Sequence, residues 1–228
     1  MTYSTGIIAG LAFLALGGLS SAAEKPTIIA AADWGSTPQA IPEESRQTPS
    51  LLTIHHAGEL WNEGDDPVKK LVGLQKFGQT QKNWPDLPYH FLIAPDGRVF
   101  EGRAIEYQPE SNTNYDLKGH VGIMLWGNFE VQRVSREQIA SAAKLSAWLC
   151  EKYKIDPATI KGHKDRAEGQ TVCPGLDLAR YIDGGQFQKL VAAEIAGEMP
   201  KVELLPQLPA GPAQVIPGGT LGTESEYK

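Results

Sequence analysis

The sequence predicts an α/β fold, one sheet with helices on its faces. Three observations carry that prediction. Short apolar runs suited to strands alternate with longer amphipathic stretches, the two longest of those stretches open with helix-capping residues, and no internal repeat interrupts the alternation. With 228 residues, of which 41% are hydrophobic and 21% charged, the chain is long enough for a single domain with a sizeable core.

Taken in order, the first stretch is "MTYSTGIIAGLAFLALGGLSSAAEKP". Its apolar run, Ile7 to Leu19, is short for a helix crossing a bilayer core of about 30 Å, and it ends in the small residues Ser21-Ala22-Ala23 that a signal peptidase reads. Residues 1–23 are therefore expected to be a signal peptide. Export to the periplasm or the exterior follows, with no stable membrane insertion after processing. Residues 24–49 hold one apolar patch, "TIIAAADWG", and are expected to pack on the domain.

"LLTIHHA", Leu51 to Ala57, is an apolar run of strand length. "DDPVKKLVGLQKFG" then supplies Asp66 as N-cap and Pro67 at the first helical position, and places Val68, Leu71, Val72 and Gln75 on one helical face. "YHFLIAPDGRVFEGR" reads as two strands joined at Pro95-Asp96-Gly97, where glycine can take positive φ. "HVGIMLWGNF" is a further strand. "SREQIASAAKLSAWLCEKYKI" opens with a capping box, Ser135 and Gln138, and keeps apolar residues at helical spacing through Tyr153. A third helix is predicted over Leu178 to Ile195, weakened at Gly184-Gly185. From Met199 onward, proline and glycine are dense and aperiodic, so residues 196–228 are expected to be a flexible tail.

Two cysteines and five histidines carry the chemistry available. Cys150 falls on the apolar stripe of the second long helix and reads as a small buried hydrophobe. Cys173 stands in a loop, "GHKDRAEGQTVCPG", just downstream of His163. Metal ligation, a disulfide with Cys150 and an inert surface loop all remain open for it. His55 and His56 are adjacent in a strand, so only one of them can enter a given site. One strand histidine with the His163–Cys173 pair matches the three protein ligands of a catalytic zinc site. The net charge of −6, without a Lys/Arg cluster, argues against a nucleic-acid partner.

"TIHHAG", "NWPDLPYHFLIAPDGRVFEGR", "HVGIMLWGNFE" and "GHKDRAEGQTVCPG" resemble, in order and spacing, the type 2 N-acetylmuramoyl-L-alanine amidases, a family that includes the peptidoglycan recognition proteins. "ADWGS", near residue 34, looks like the start of the recognition-protein branch. The resemblance implies a central mixed sheet flanked by helices, with a zinc amidase domain over 50–195. It implies Zn²⁺ bound by His55, His163 and Cys173, with Tyr89 and Thr171 as catalytic neighbours. It further implies a groove for peptidoglycan or muropeptide fragments in which Asn83, Trp84 and His120 meet substrate. Many bacterial relatives carry Glu where this chain has Met124, which shifts the implied chemistry onto Tyr89. Asn83-Trp84 combines one residue from each of two pairs that the family associates with different stem peptides. A binding module of the same fold that holds muropeptide without cutting it is the alternative; loss of the cysteine ligand usually marks that class.

Overall fold

The computed structural model describes residues 23–220, so the expected signal peptide lies, apart from Ala23, outside the described residues. Six strands form a mixed sheet: β1 (Ile28–Ile29), β2 (Leu51–His56), β3 (Phe91–Ile93), β4 (Val99–Glu101), β5 (His120–Leu125) and β7 (Lys161–Gly162). Their spatial order is β1-β4-β3-β5-β2-β7. Only β3 and β4, joined at the predicted Pro95-Asp96-Gly97 turn, run antiparallel, and every other neighbouring pair is parallel. The carboxyl ends of β2, β5 and β7 therefore emerge along one edge, where ligands bind in open α/β sheets.

Alternation along the central strands divides the sheet into two faces. Leu52, Ile54, Val121, Ile123 and Leu125 are fully buried on one. The register Thr53↔Gly122 and His55↔Met124 puts the polar positions of β2 on the other. Burying such a face of β-branched and aliphatic side chains supplies the usual 1.5–3 kcal/mol or so for each large residue.

α1 (Pro67–Gln81) starts as expected, with the Asp66 carboxylate accepting from the Val68 and Lys69 amides. Its buried stripe is Pro67, Leu71, Gln75 and Gly78, whereas Val68 and Val72 are exposed, contrary to the sequence expectation. The reason is that Gln75 takes the inward position as a polar hub. Its side chain accepts from the Thr37 amide and donates to Ser36 and Asp86, and the stripe turns toward it. That hub also ties residues 24–49 to the domain, together with the Trp34 indole donating to the Glu101 carbonyl and β1 pairing with β4.

α2 (Arg136–Tyr153) has both halves of its capping box in place, and its apolar stripe is buried. The third helix is two, α4 (Leu176–Asp183) and α5 (Gln186–Ile195), because Gly185 adopts φ +72° and breaks the ladder. A one-turn helix, α3 (His163–Arg166), follows β7. Among the described residues no helix is long and apolar enough to cross a membrane.

The stretch expected to be a flexible tail lies instead against the domain as far as residue 220. Gln214–Val215 forms β8, which pairs in parallel with β6 (Gln132–Arg133). Val202 and Ile216 are buried. Carbonyls of the segment are met by guanidinium groups of the domain: Arg136 donates to Val202, Arg133 to Leu205 and Arg180 to Pro206. Composition alone conceals this, because the partners are arginines remote in sequence.

Candidate metal centre

Three backbone segments converge at the carboxyl edge of the sheet. β2, paired on both sides, delivers His55; β7 ends at Gly162 and hands His163 to the first position of α3. The loop after α3 returns Cys173, whose carbonyl accepts from the Lys164 amide at 2.6 Å. Gly162 and Gly175 allow that return: a Cβ on Gly162 would sit 2.8 Å from the Pro174 ring, and one on Gly175, at φ +85°, would sit 2.8 Å from His56 Nδ1.

One ligand atom from each of His55, His163 and Cys173 lies within 4.8 Å of the others, and all three residues are buried. Cys173 Sγ is 3.7 Å from His55 Nδ1, and the two imidazole centroids are 4.5 Å apart. Tetrahedral zinc, with bonds of about 2.0–2.3 Å, needs donor atoms spaced at roughly 3.5 Å, so this imidazole–imidazole–thiolate set fits zinc in both chemistry and spacing. Both cysteines are free thiols, which removes the disulfide reading.

By itself, burial holds the cluster neutral. It drives His55 well below the ordinary imidazole value, with His163 adding to the effect, and brings His163 down to about 4. Burial also pushes the Cys173 thiol up to about 12, opposed by the His56 amide donating to its sulfur. A cation at the centre is what makes a thiolate stable there.

Tyr89 stands beside the ligands, its ring centroid 5.0 Å from that of His55. Burial, then Cys173 and Tyr115, raise its hydroxyl above the usual phenol range, so it is a protonated donor at neutral pH. Thr171 Oγ1 accepts from the Cys173 amide at 3.1 Å and shapes the loop that carries the sulfur. Both residues line a hollow of about 340 Å³ over the three ligands. The hollow shares Ala57, Trp84, Pro88, Tyr89 and Asn112 with a larger groove of about 650 Å³ walled by α1 side chains and Trp126.

The other expected site residues divide. Trp84 lines both spaces, its ring seated on Gly78 of α1. Asn83 does not line them; it is exposed and takes φ +57° in the turn after α1. His120 also lies away from the lining, because it opens β5 at the far end from the ligands, buried and bonded through Nδ1 to Thr53 Oγ1 at 2.7 Å. His56 and His90 are structural: His56 Nδ1 accepts from the Phe129 amide, and His90 Nδ1 from the Gly122 amide. Sequence reasoning missed the loop around Ser111 and Thr113, which contacts His163. "PESNTNYD" shows no periodicity there, and its only signal is a cluster of hydroxyl and amide side chains.

Comparison with known proteins places the chain's family and fold. Residues 45–176 match the family model described as N-acetylmuramoyl-L-alanine amidase. The chain is 30% identical over 158 residues to peptidoglycan-recognition protein SC2 of Drosophila melanogaster, spanning 68% of this chain and 84% of that protein. Among solved structures it is similar to a mutant of Drosophila PGRP-LB in complex with tracheal cytotoxin. The TM-score there is 0.59 and the identity 26%, over 68% of this chain and 92% of that one. It is also similar to the N-acetylmuramoyl-L-alanine amidase LysCS of Clostridium intestinale, with TM-score 0.54 and 27% identity over 68% and 91%.

Proposed function

The chain belongs to the N-acetylmuramoyl-L-alanine amidase family, and from that premise we propose that it is a zinc-dependent hydrolase of the amide joining N-acetylmuramic acid to L-alanine in peptidoglycan or its fragments. The observation that carries the reading is the 3.7 Å approach of Cys173 Sγ to His55 Nδ1 in a cluster completed by His163.

His55, His163 and Cys173 would hold the ion. Zinc, when bound, supplies Lewis acidity and lowers the pKa of water toward about 7, enough for amide attack near neutral pH. The protein's own part is placement and charge. Tyr89 keeps its proton and donates to the scissile carbonyl oxygen as that oxygen gains negative charge, a contribution worth about 10²–10³ in rate where such donors have been removed. Burial of the ligands limits competing water. Trp84, Leu74 and Phe77 offer apolar surface to the stem peptide along the groove. Met124, which also faces the groove, has no proton to give, so no carboxylic acid acts from that position. The apolar run and small-residue end of the first 23 residues support export, which would bring the enzyme to its polymer.

The test is digestion of defined muropeptides read by mass, with zinc content measured on the same sample. About one zinc per chain and stem-peptide release abolished by a chelator are expected. Zinc bound without release would replace the hydrolase with a muropeptide-binding module of the same fold.

A further inference from the structure

Within the loop at residues 110–116, Thr113 Oγ1 lies 2.6 Å from His163 Nε2, with Ser111 Oγ 3.4 Å from the same nitrogen. We propose that Thr113 is a positioning residue for the metal: its hydroxyl fixes the tautomer and the plane of His163, so that Nδ1 is the atom presented to the cation. The inference rests on the zinc reading given above.

Ser111 Oγ accepts from the Thr113 amide at 3.1 Å and stands 2.8 Å from the Thr113 hydroxyl. In the proposed arrangement the Thr113 proton goes to Ser111, and a Thr113 lone pair accepts from His163 Nε2–H. A ring that donates from Nε2 has its lone pair on Nδ1. Metal-bound histidines commonly use their second nitrogen in this way, and a neutral hydroxyl acceptor does so without adding charge to the site.

The hydroxyl is itself held. The Asn114 amide donates to Gln170 Oε1 at 2.8 Å, and Gln170 Nε2 donates back to the Asn114 carbonyl at 3.0 Å. This reciprocal pair fastens the 110–116 loop to the 163–173 loop, which carries both His163 and Cys173. The Tyr115 ring, 5.4 Å from that of His163 and edge-on to His120, packs beside the same imidazole. Two loops distant in sequence thus close on one ligand, and each restricts the other.

Zn²⁺ alone, titrated against a chromophoric chelator, measures the effect on the full chain, and Co²⁺ absorption reports ligand geometry. Thr113→Val is expected to weaken zinc binding about 10–100-fold and to alter the Co²⁺ spectrum, with Thr113→Ser restoring both. Gln170→Ala, which leaves the hydroxyl in place but loosens its loop, is expected to weaken zinc by a smaller factor, roughly threefold to tenfold. Thermal unfolding of the metal-free variants should match wild type. Wild-type zinc affinity in Thr113→Val, or Thr113→Ser as weak as Thr113→Val, would overturn the proposal. Failure of the wild-type chain to take up either metal would overturn the zinc reading and this inference together.

Discussion

The His55–His163–Cys173 cluster and the groove beside it are neighbours built by different means. The cluster hangs on backbone: β2 is laddered on both sides, β7 runs directly into His163, and the return of Cys173 is closed by a main-chain bond to Lys164. The groove wall hangs on side chains. Gln132 of β6 accepts from the Trp61 amide at 2.9 Å and donates to the Trp61 carbonyl at 2.7 Å, so one amide group holds the loop before α1. Lys70 bridges Glu59 and Asp65 while lying over the rings of Trp61 and Trp126. The difference teaches where each property resides. Backbone pairing holds the three-residue cluster, and a few replaceable side chains hold the groove beside it.

Substitutions can break that division or sharpen it. The largest effect is expected from Cys173→Ser, which should take zinc content from about one per chain to near zero and turnover with it. Cys150→Ser, buried but outside the cluster, should keep its zinc and cost about 1 kcal/mol in packing; metal analysis beside a denaturation curve reads both. Next comes Tyr89→Phe, expected to keep zinc and lose roughly 10²–10³ in turnover. Unchanged turnover would move the oxyanion donor elsewhere.

A third prediction concerns the frame under the cluster. Burial lowers His90 to about 4, and its ring joins the Gly122 amide to the Tyr107 carbonyl. The unfolded chain takes up a proton near pH 6.5, before the folded chain does. The stabilisation is therefore whole above that value and is lost as pH falls toward about 4, a change of about 3 kcal/mol for this residue. Chemical denaturation across that range should show the decline, and a flat profile would mean that His90 is not held neutral. Among the site and frame substitutions the smallest effect on turnover is expected from Gln132→Ala, which unpairs Trp61 at a cost of about 2 kcal/mol in stability. KM should rise with zinc content unchanged; a fall in zinc content would show that the wall and the cluster are not separable.

Much of this frame was legible because its signals are local. The Asp66-Pro67 start of α1, the Pro95-Asp96-Gly97 turn and the Ser135–Gln138 capping box each declare themselves within a few residues. The resemblance points to His55, His163 and Cys173, and the structure brings those three side chains together; alternation in β2 admits either His55 or His56, and spacing alone does not choose. What stayed hidden depends on contacts across the fold. The inward turn of Gln75 answers to Thr37 and Asp86, the burial of His120 answers to Thr53, and Thr113 becomes visible only once its loop is folded onto His163. The seating of residues 199–220 answers to three arginines that no local pattern would pair with the carbonyls of Val202, Leu205 and Pro206.

The parallel pairing of Gln132–Arg133 with Gln214–Val215 has a consequence for the order of assembly. Every ligand of the cluster is already synthesised when the chain reaches Cys173, but the strand that clamps Trp61 gains its neighbour only when Gln214 arrives. A polypeptide still emerging can thus gather His55, His163 and Cys173 before the groove beside them has a finished side.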